Sequence, residues 1–279
     1  MEHDYQNSIS ITRLSATIAD IAGFEAPAQA EPAVEWLANI IKAAYGGAKA
    51  NKVLIFSADA VPLWMVRKNT EMFASVYKHA PISLCVRSVD HPMTPIAYAA
   101  FFSGAFPEIN GVDKVVPPIL TPEVVQPLIT CDTLMAAAVR AGLHVAVVTC
   151  ANGCIASMLS QSGAHLYMID GDDDEAMFAK AEELVENNYY DFVFLYQLGF
   201  DYSMHEKGPE SVEALSTLQN IINRFDNICE TAKKTWQGNC LFIFNSDHGA
   251  HFSQGKGSHG VNISEDTDII HFFGTFCNV

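Results

Sequence analysis

Five residues, Leu241-Phe242-Ile243-Phe244-Asn245, constrain this chain more than any other stretch. A short, nearly unbroken apolar and aromatic run reads as a buried strand. Strands of that kind belong to parallel sheets with helices above and below. The run continues into Ser246-Asp247-His248-Gly249-Ala250-His251, so it delivers an Asp and a His together at its carboxyl end. Parallel α/β sheets carry their chemistry at that end. A further histidine, His259, lies 11 residues past His248 in Gly257-Ser258-His259-Gly260. Carboxylate and imidazole are ligands for divalent cations. The segment therefore reads as half of a metal site, with the other half supplied from elsewhere in the chain.

The rest of the chain has the rhythm such a sheet requires. Residues 1–50 carry Ile9, Ile18, Ile21, Trp36, Leu37, Ile40 and Ile41 at roughly helical spacing, with Pro27 and Pro32 separating two segments. They read as a helical N-terminal scaffold. Strands are expected at 52–58, 82–86, 143–149, 165–169 and 191–196, with a last apolar run at 269–273. Helices are expected at 131–142, 154–161 and 173–187. A long one begins near Pro209, where apolar residues at 212, 215, 218, 222 and 225 keep a regular three-to-four spacing. Residues 105–112 read as a loop by their Pro and Gly. Alternation of this kind implies a mostly parallel central sheet with helices on both faces, here one α/β domain over 1–279.

Composition narrows the classes. An apolar fraction of 49% excludes a disordered chain. No apolar window is long enough to span a bilayer, and the N-terminus Met1-Glu2-His3-Asp4 lacks the cationic start of a signal peptide. Seven cysteines, an odd number mostly in apolar runs, read as reduced core thiols, which makes the cytoplasm the expected compartment. The net charge of −16, with 16 basic residues, argues against nucleic-acid binding. It does not argue against a small phosphate ester, because clustered carboxylates that hold cations attract phosphate through them.

Four places offer candidate ligands. Asp59 follows the 52–58 strand. Asp201-Tyr202-Ser203-Met204-His205 follows the 191–196 strand, Asp247-His248 follows 241–245, and His259 lies in the loop beyond. Three Asp and three His suit two divalent ions, Zn²⁺ or Mn²⁺. Thr94 is expected at the N-cap of a helix whose first turn holds Pro95, where backbone N–H groups would face an anion. A cation beside Thr94 would make its hydroxyl a nucleophile.

These residues together resemble the alkaline phosphatase superfamily, and within it the type I phosphodiesterase/nucleotide pyrophosphatase branch. The resemblance covers about residues 52–273. It rests on Asp59 after the first strand, Thr94 ten residues before Gly104 of Ser103-Gly104, and the loop Pro107-Glu108-Ile109-Asn110-Gly111-Val112. It continues with Asp201, His205, Gly208 and Pro209 in the D-x-x-x-H-x-x-G-P pattern, then Asp247-His248-Gly249 and the late His259. The resemblance implies one cation held by Asp201, His205 and His259. It implies a second held by Asp59, Asp247 and His248 with the Thr94 oxygen. It implies attack by Thr94 on phosphorus, a phosphothreonine intermediate, and hydrolysis of phosphate esters, diesters before monoesters or phosphonates. A metal-binding protein without turnover, acting as a sensor or scaffold, is the alternative from another class; the intact Thr94 speaks against it.

The chain departs from the family in three places. Pro95 directly follows Thr94, where the family has T-x-P. Asn110 replaces the usual loop histidine. Only ten residues separate His248 from His259, so the substrate-covering cap is reduced. An open pocket of that kind could be covered by a second subunit, which makes a homo-oligomer possible. The phosphate-contacting Asn of relatives has no clear match, and Asn110 or Lys114 are the candidates for that role. A sulfatase is disfavoured by Thr94 and Tyr98 in the C/S-x-P-x-R pattern. A cofactor-independent mutase is disfavoured because no inserted domain separates Thr94 from Asp201. His251 and His271 read as core or supporting histidines, Asp170 to Glu175 as a solvated helix start without calcium-loop spacing, and Cys150 and Cys154 as core thiols.

Overall fold

The most apolar runs of the chain lie side by side. The computed structural model describes residues 8–113, 120, 121, 124, 125 and 129–278. Chain order runs β1 (Ile9–Ser10), a 3-10 turn at Ile11–Arg13, α1 (Leu14–Ala22), α2 (Glu35–Ala44), β2 (Lys52–Ala58), α3 (Leu63–Lys68), α4 (Ala74–His79) and β3 (Ile82–Arg87). It continues with α5 (Thr94–Ser103), α6 (Pro107–Asn110), β4 (Leu120–Thr121), β5 (Val124–Val125), α7 (Leu134–Arg140), β6 (Val145–Cys150), α8 (Cys154–Leu159) and β7 (His165–Ile169). The last third is α9 (Asp174–Glu186), β8 (Phe192–Gln197), α10 (Gly199–Lys207), α11 (Val212–Thr235), β9 (Gly238–Asn245), the hairpin β10 (His251–Ser253) and β11 (Lys256–Ser258), α12 (Ser264–Thr267) and β12 (Asp268–Asn278).

Eight strands form one sheet in the order β1-β3-β12-β9-β2-β8-β6-β7. All pairs are parallel except those of β12, which runs antiparallel to both β3 and β9. The central strands are buried along almost their whole length. That accounts for their unbroken apolar sequence, because neither face meets water. Helices α4, α9 and α11 pack together, and α1, α5, α7 and α8 form a separate packed set, so the sheet is covered on both faces. Helix α5 is buried all round, as its sequence Thr-Pro-Ile-Ala-Tyr-Ala-Ala-Phe-Phe-Ser requires. The Ser15 hydroxyl on α1 donates to the Phe101 carbonyl at 2.6 Å and fixes the far end of α5.

The register brings the site to one level. Ala58 pairs with Gln197, and Ser57 with Asn245. Thus β8, β2 and β9 end together, and the segments that continue from them leave the same edge of the sheet.

Several expectations shift. Ile9 is in an edge strand rather than a helix; two residues are too few to show a period. Residues 107–110 of the expected loop form one helical turn, opened by Pro107 and closed by Gly111 in the left-handed conformation (φ 81°). The stripe of α11 runs through Ala214, Leu218, Ile221, Ile222, Phe225, Ile228, Cys229 and Ala232. Val212 at its first position is 81% exposed, because the helix begins there and that position faces solvent. Lys114 lies outside the described residues.

Candidate functional site

Asp59 comes directly off β2. Asp247 and His248 come two and three residues off β9. Asp201 sits in the first turn of α10 and His205 one turn later, so the D-x-x-x-H spacing puts both on one helix face. His259 follows the β10–β11 hairpin, which occupies the short interval between it and His248.

These side chains meet. Ligand atoms of Asp59, Asp247 and His248 lie within 4.8 Å of one another, as do those of Asp201, His248 and His259. His205 joins through Asp201, with its Nε2 3.3 Å from Asp201 Oδ1. His259 Nε2 is 3.4 Å from the same oxygen. His248 Nε2 lies 3.4 Å from Asp59 Oδ1 and 3.4 Å from Asp247 Oδ2. The rings of His248 and His259 stack with centroids 4.0 Å apart. His248 thus stands between two groups of ligands rather than within one.

Each histidine is aimed by its other nitrogen. Nδ1 of His205 donates to the Gly257 carbonyl at 3.1 Å, that of His248 to Gly249 at 2.9 Å, and that of His259 to Pro92 at 3.1 Å. With Nδ1 carrying the proton, Nε2 presents a lone pair to the centre, the tautomer a metal ligand needs. Asp59 Oδ1, Asp201 Oδ1 and Asp247 Oδ2 are buried and have no hydrogen-bond partner. Buried anionic oxygens without partners are costly. Three of them facing three imidazole lone pairs fit divalent cations, and this N/O donor set suits Zn²⁺ or Mn²⁺.

Electrostatics agree. Burial, reinforced by the Asp201 charge, raises Asp59 to about 7. Burial and the neighbouring Asp59 raise Asp247 well above the carboxylate range. Burial also opposes ionisation of Asp201, but His205 and His259 outweigh it and hold that carboxyl below its usual value. Burial, aided by the nearby His259, depresses His248 to about 3, so it is neutral and able to ligate.

Thr94 is brought to the same place. Its Oγ1 is 3.1 Å from His248 Nε2 and 3.5 Å from Asp59 Oδ2. It stands at the first helical position of α5, and Met93 takes the N-cap. The N–H groups of Ile96 and Ala97 both donate to the Met93 carbonyl at 2.9 Å, and Pro95 has none. The expected nest of free amides is therefore largely spent.

Asn110 is engaged by its own loop. Its carboxamide donates to the Ala105 carbonyl at 2.9 Å and accepts from Val112 N–H at 2.9 Å, so it ties its own loop. His251 bonds Asp266, and buried His271 donates from Nε2 to the Ser246 carbonyl at 2.6 Å. All seven cysteines are free thiols. The acidic stretch is structural: Asp173 caps α9, and Asp174 accepts from the N–H of Leu198 and Gly199 at the entry to α10. A third cluster, His79 with Asp226 and Glu230, already has its cations in Lys78 and Lys233.

Residue-by-residue reading missed Tyr196. It is buried on β8, and its hydroxyl donates to Asp59 Oδ2, which turns Oδ1 toward His248. A strand buried on both faces gives no alternation to mark such a side chain.

The sequence profile described as type I phosphodiesterase/nucleotide pyrophosphatase matches residues 53–271, well over half of the chain. The chain belongs to that family. Comparison with curated proteins by sequence gave no match. Among solved structures, murine ectonucleotide pyrophosphatase/phosphodiesterase 5 aligns with a TM-score of 0.57 at 22% identity over 73% of this chain and 58% of its own. Phosphonoacetate hydrolase from Sinorhizobium meliloti 1021, in complex with phosphonoformate, gives 0.55 at 15% over 75% and 59%. The human ectonucleotide pyrophosphatase/phosphodiesterase 5 gives 0.54 at 20% over 72% and 57%. At these identities the likeness is one of fold. This member of the type I phosphodiesterase family spans less than three fifths of the length of each of these neighbours.

Proposed function

We propose that the chain is a metal-dependent phosphohydrolase cleaving phosphate esters, diesters before monoesters, through a phosphothreonine at Thr94. One observation carries the reading: Thr94 Oγ1 stands 3.1 Å from His248 Nε2, at the edge of a cluster holding three buried carboxylate oxygens without partners. Asp59, Asp247 and His248 would hold one cation with Thr94, and Asp201, His205 and His259 the other. Two such ions supply charge stabilisation to both the attacking and the departing oxygen of an in-line displacement.

The residues then have defined tasks. With His248 Nε2 given to the cation, Asp59 Oδ2, 3.5 Å from the Thr94 hydroxyl, orients it and takes its proton as the oxygen attacks phosphorus. A bond forms from Thr94 to phosphorus, the ester bond to the leaving alcohol breaks, and the proton passes to that alcohol. Water then hydrolyses the threonine ester, releasing the phosphoryl product and restoring the hydroxyl. With few free amides at the start of α5, the acidic cluster and its ions carry phosphate recognition. The murine neighbour was solved with AMP as an inactive threonine-to-alanine variant, which supports a threonine at the chemistry. The phosphonoacetate hydrolase neighbour keeps phosphonates as the second substrate class. Seven free thiols support a reducing compartment.

A chromogenic diester, a monoester and a phosphonate assayed with Zn²⁺, with Mn²⁺ and with EDTA test the reading. Activity is expected with metal and lost with EDTA. Thr94→Ala is expected to lower turnover by on the order of 10³-fold or more with metal uptake unchanged. Full activity in that variant would refute the nucleophile, and metal uptake with no turnover in the wild type would favour a sensor.

A further inference from the structure

The ends of the hairpin between His248 and His259 return to one buried carboxylate. Asp266 in α12 is fully buried. Its Oδ1 accepts from His251 Nδ1 at 2.7 Å, and its Oδ2 accepts from Val261 N–H at 3.0 Å. Its carbonyl accepts from Gly249 N–H at 2.7 Å. Gly249 adjoins His248, His251 opens β10, and Val261 stands two residues past His259. One residue therefore grips both sides of the hairpin base. The approach is close: a Cβ on Gly249 would come within 2.1 Å of the Glu265 carbonyl.

We propose that Asp266, through its bond to His251, is the positioning residue that sets the separation of His248 from His259 and so the spacing of the two cation subsites. This rests on the two-cation reading above. The two rings stack 4.0 Å apart and share Asp201 between them, so their relative placement fixes how each Nε2 meets its ion. Removing the carboxylate leaves Val261 N–H and His251 Nδ1–H without partners and frees the base to shift. A shift of about 1 Å is enough to spoil a site of this kind. Asparagine can replace both bonds. Its oxygen accepts from Val261, and its amide donates to the other tautomer of His251.

Zinc titration by calorimetry of the metal-stripped wild type, D266A, D266N and H251A, with visible spectra of the Co²⁺-loaded forms and thermal melts, tests this. The wild type is expected to take up two ions, D266A and H251A to bind about 10- to 100-fold more weakly with an altered cobalt spectrum, and D266N to stay within about threefold. Wild-type affinity and spectrum in folded D266A or in H251A would overturn the proposal, as would D266N as weak as D266A. If D266A gives no cooperative melt, H251A decides alone, since Asp266 keeps its bond from Val261 N–H and can take up a proton where the imidazole stood. A wild type that takes up no zinc fails the two-cation reading itself, a result distinct from any loss seen only in the variants.

Discussion

At the residue scale, function depends on which oxygen of each carboxylate stays uncommitted. Asp59 gives Oδ2 to Tyr196 and keeps Oδ1 without a partner. Tyr196→Phe removes that donor and lets the carboxylate rotate. Zinc affinity is expected to fall by about tenfold or more, while the phenyl ring keeps the packing against Tyr98. Titration calorimetry checks this, and unchanged affinity would show that Asp59 is oriented by something else. The gathering of Asp and His was legible in the sequence, since both types stand just past the ends of apolar runs that pair in one sheet. Asp201 and His205 were legible as a pair because four residues make one helical turn. Tyr196 and Asp266 were not, because a phenol in a continuous apolar strand and a carboxylate in Ser-Glu-Asp-Thr carry no mark of what they face. Asn110, which stands in place of the loop histidine of the resemblance, spends its amide on Ala105 and Val112, a local pairing that the residue type does not announce.

At the element scale, the site depends on where α5 begins and ends. Gly104 closes that helix in the left-handed conformation (φ 68°), and its carbonyl accepts from Glu31 N–H at 2.7 Å. A Cβ there would sit 2.5 Å from the Ala30 Cβ and 2.9 Å from the Ala30 Cα. Gly104→Ala therefore meets both a backbone penalty of about 1–2 kcal/mol and a clash with backbone. A lower midpoint in urea is expected, and an unchanged midpoint would mean that the Ala30 segment yields freely. The order of strands and helices was largely readable from periodicity. The direction of β12 was not, because an apolar run has no polarity of its own. Neither was β1, whose two residues acquire their strand geometry only by pairing with β3. A similar limit applies to α11: its sequence gave the helix and its period, but the exposed Val212 fell outside the buried stripe.

At the scale of the whole molecule, the sheet gathers three acidic side chains, Asp201 paired with His205 and His259, and Asp59 and Asp247 beside a neutral His248, so cations bound among them would stabilise the fold. The pH dependence has a definite sign. Burial raises Asp59 from 3.8 to about 7 and raises Asp247 well above its usual value. Attraction to Asp201 raises His205, and at His259 it outweighs burial. All four bind protons more tightly folded than unfolded, so stability is lost as pH rises through their folded values. His248 and His271, lowered by burial to about 3 and about 4, and His79, lowered too, act the other way. Their contribution is complete once pH exceeds the ordinary histidine value of 6.5. Above that point, up to roughly pH 8, the raised groups alone set the slope. The metal-stripped protein is therefore expected to melt at progressively lower temperature from pH 6.5 upward. Saturating Zn²⁺ holds the same ligands deprotonated in the folded state, so it should remove that slope, raise the melting temperature and release protons on binding. Melting curves with and without EDTA across this range give the measurement. A metal-stripped chain that gains stability as pH rises through the window would mean that the carboxylates and histidines are not gathered as described.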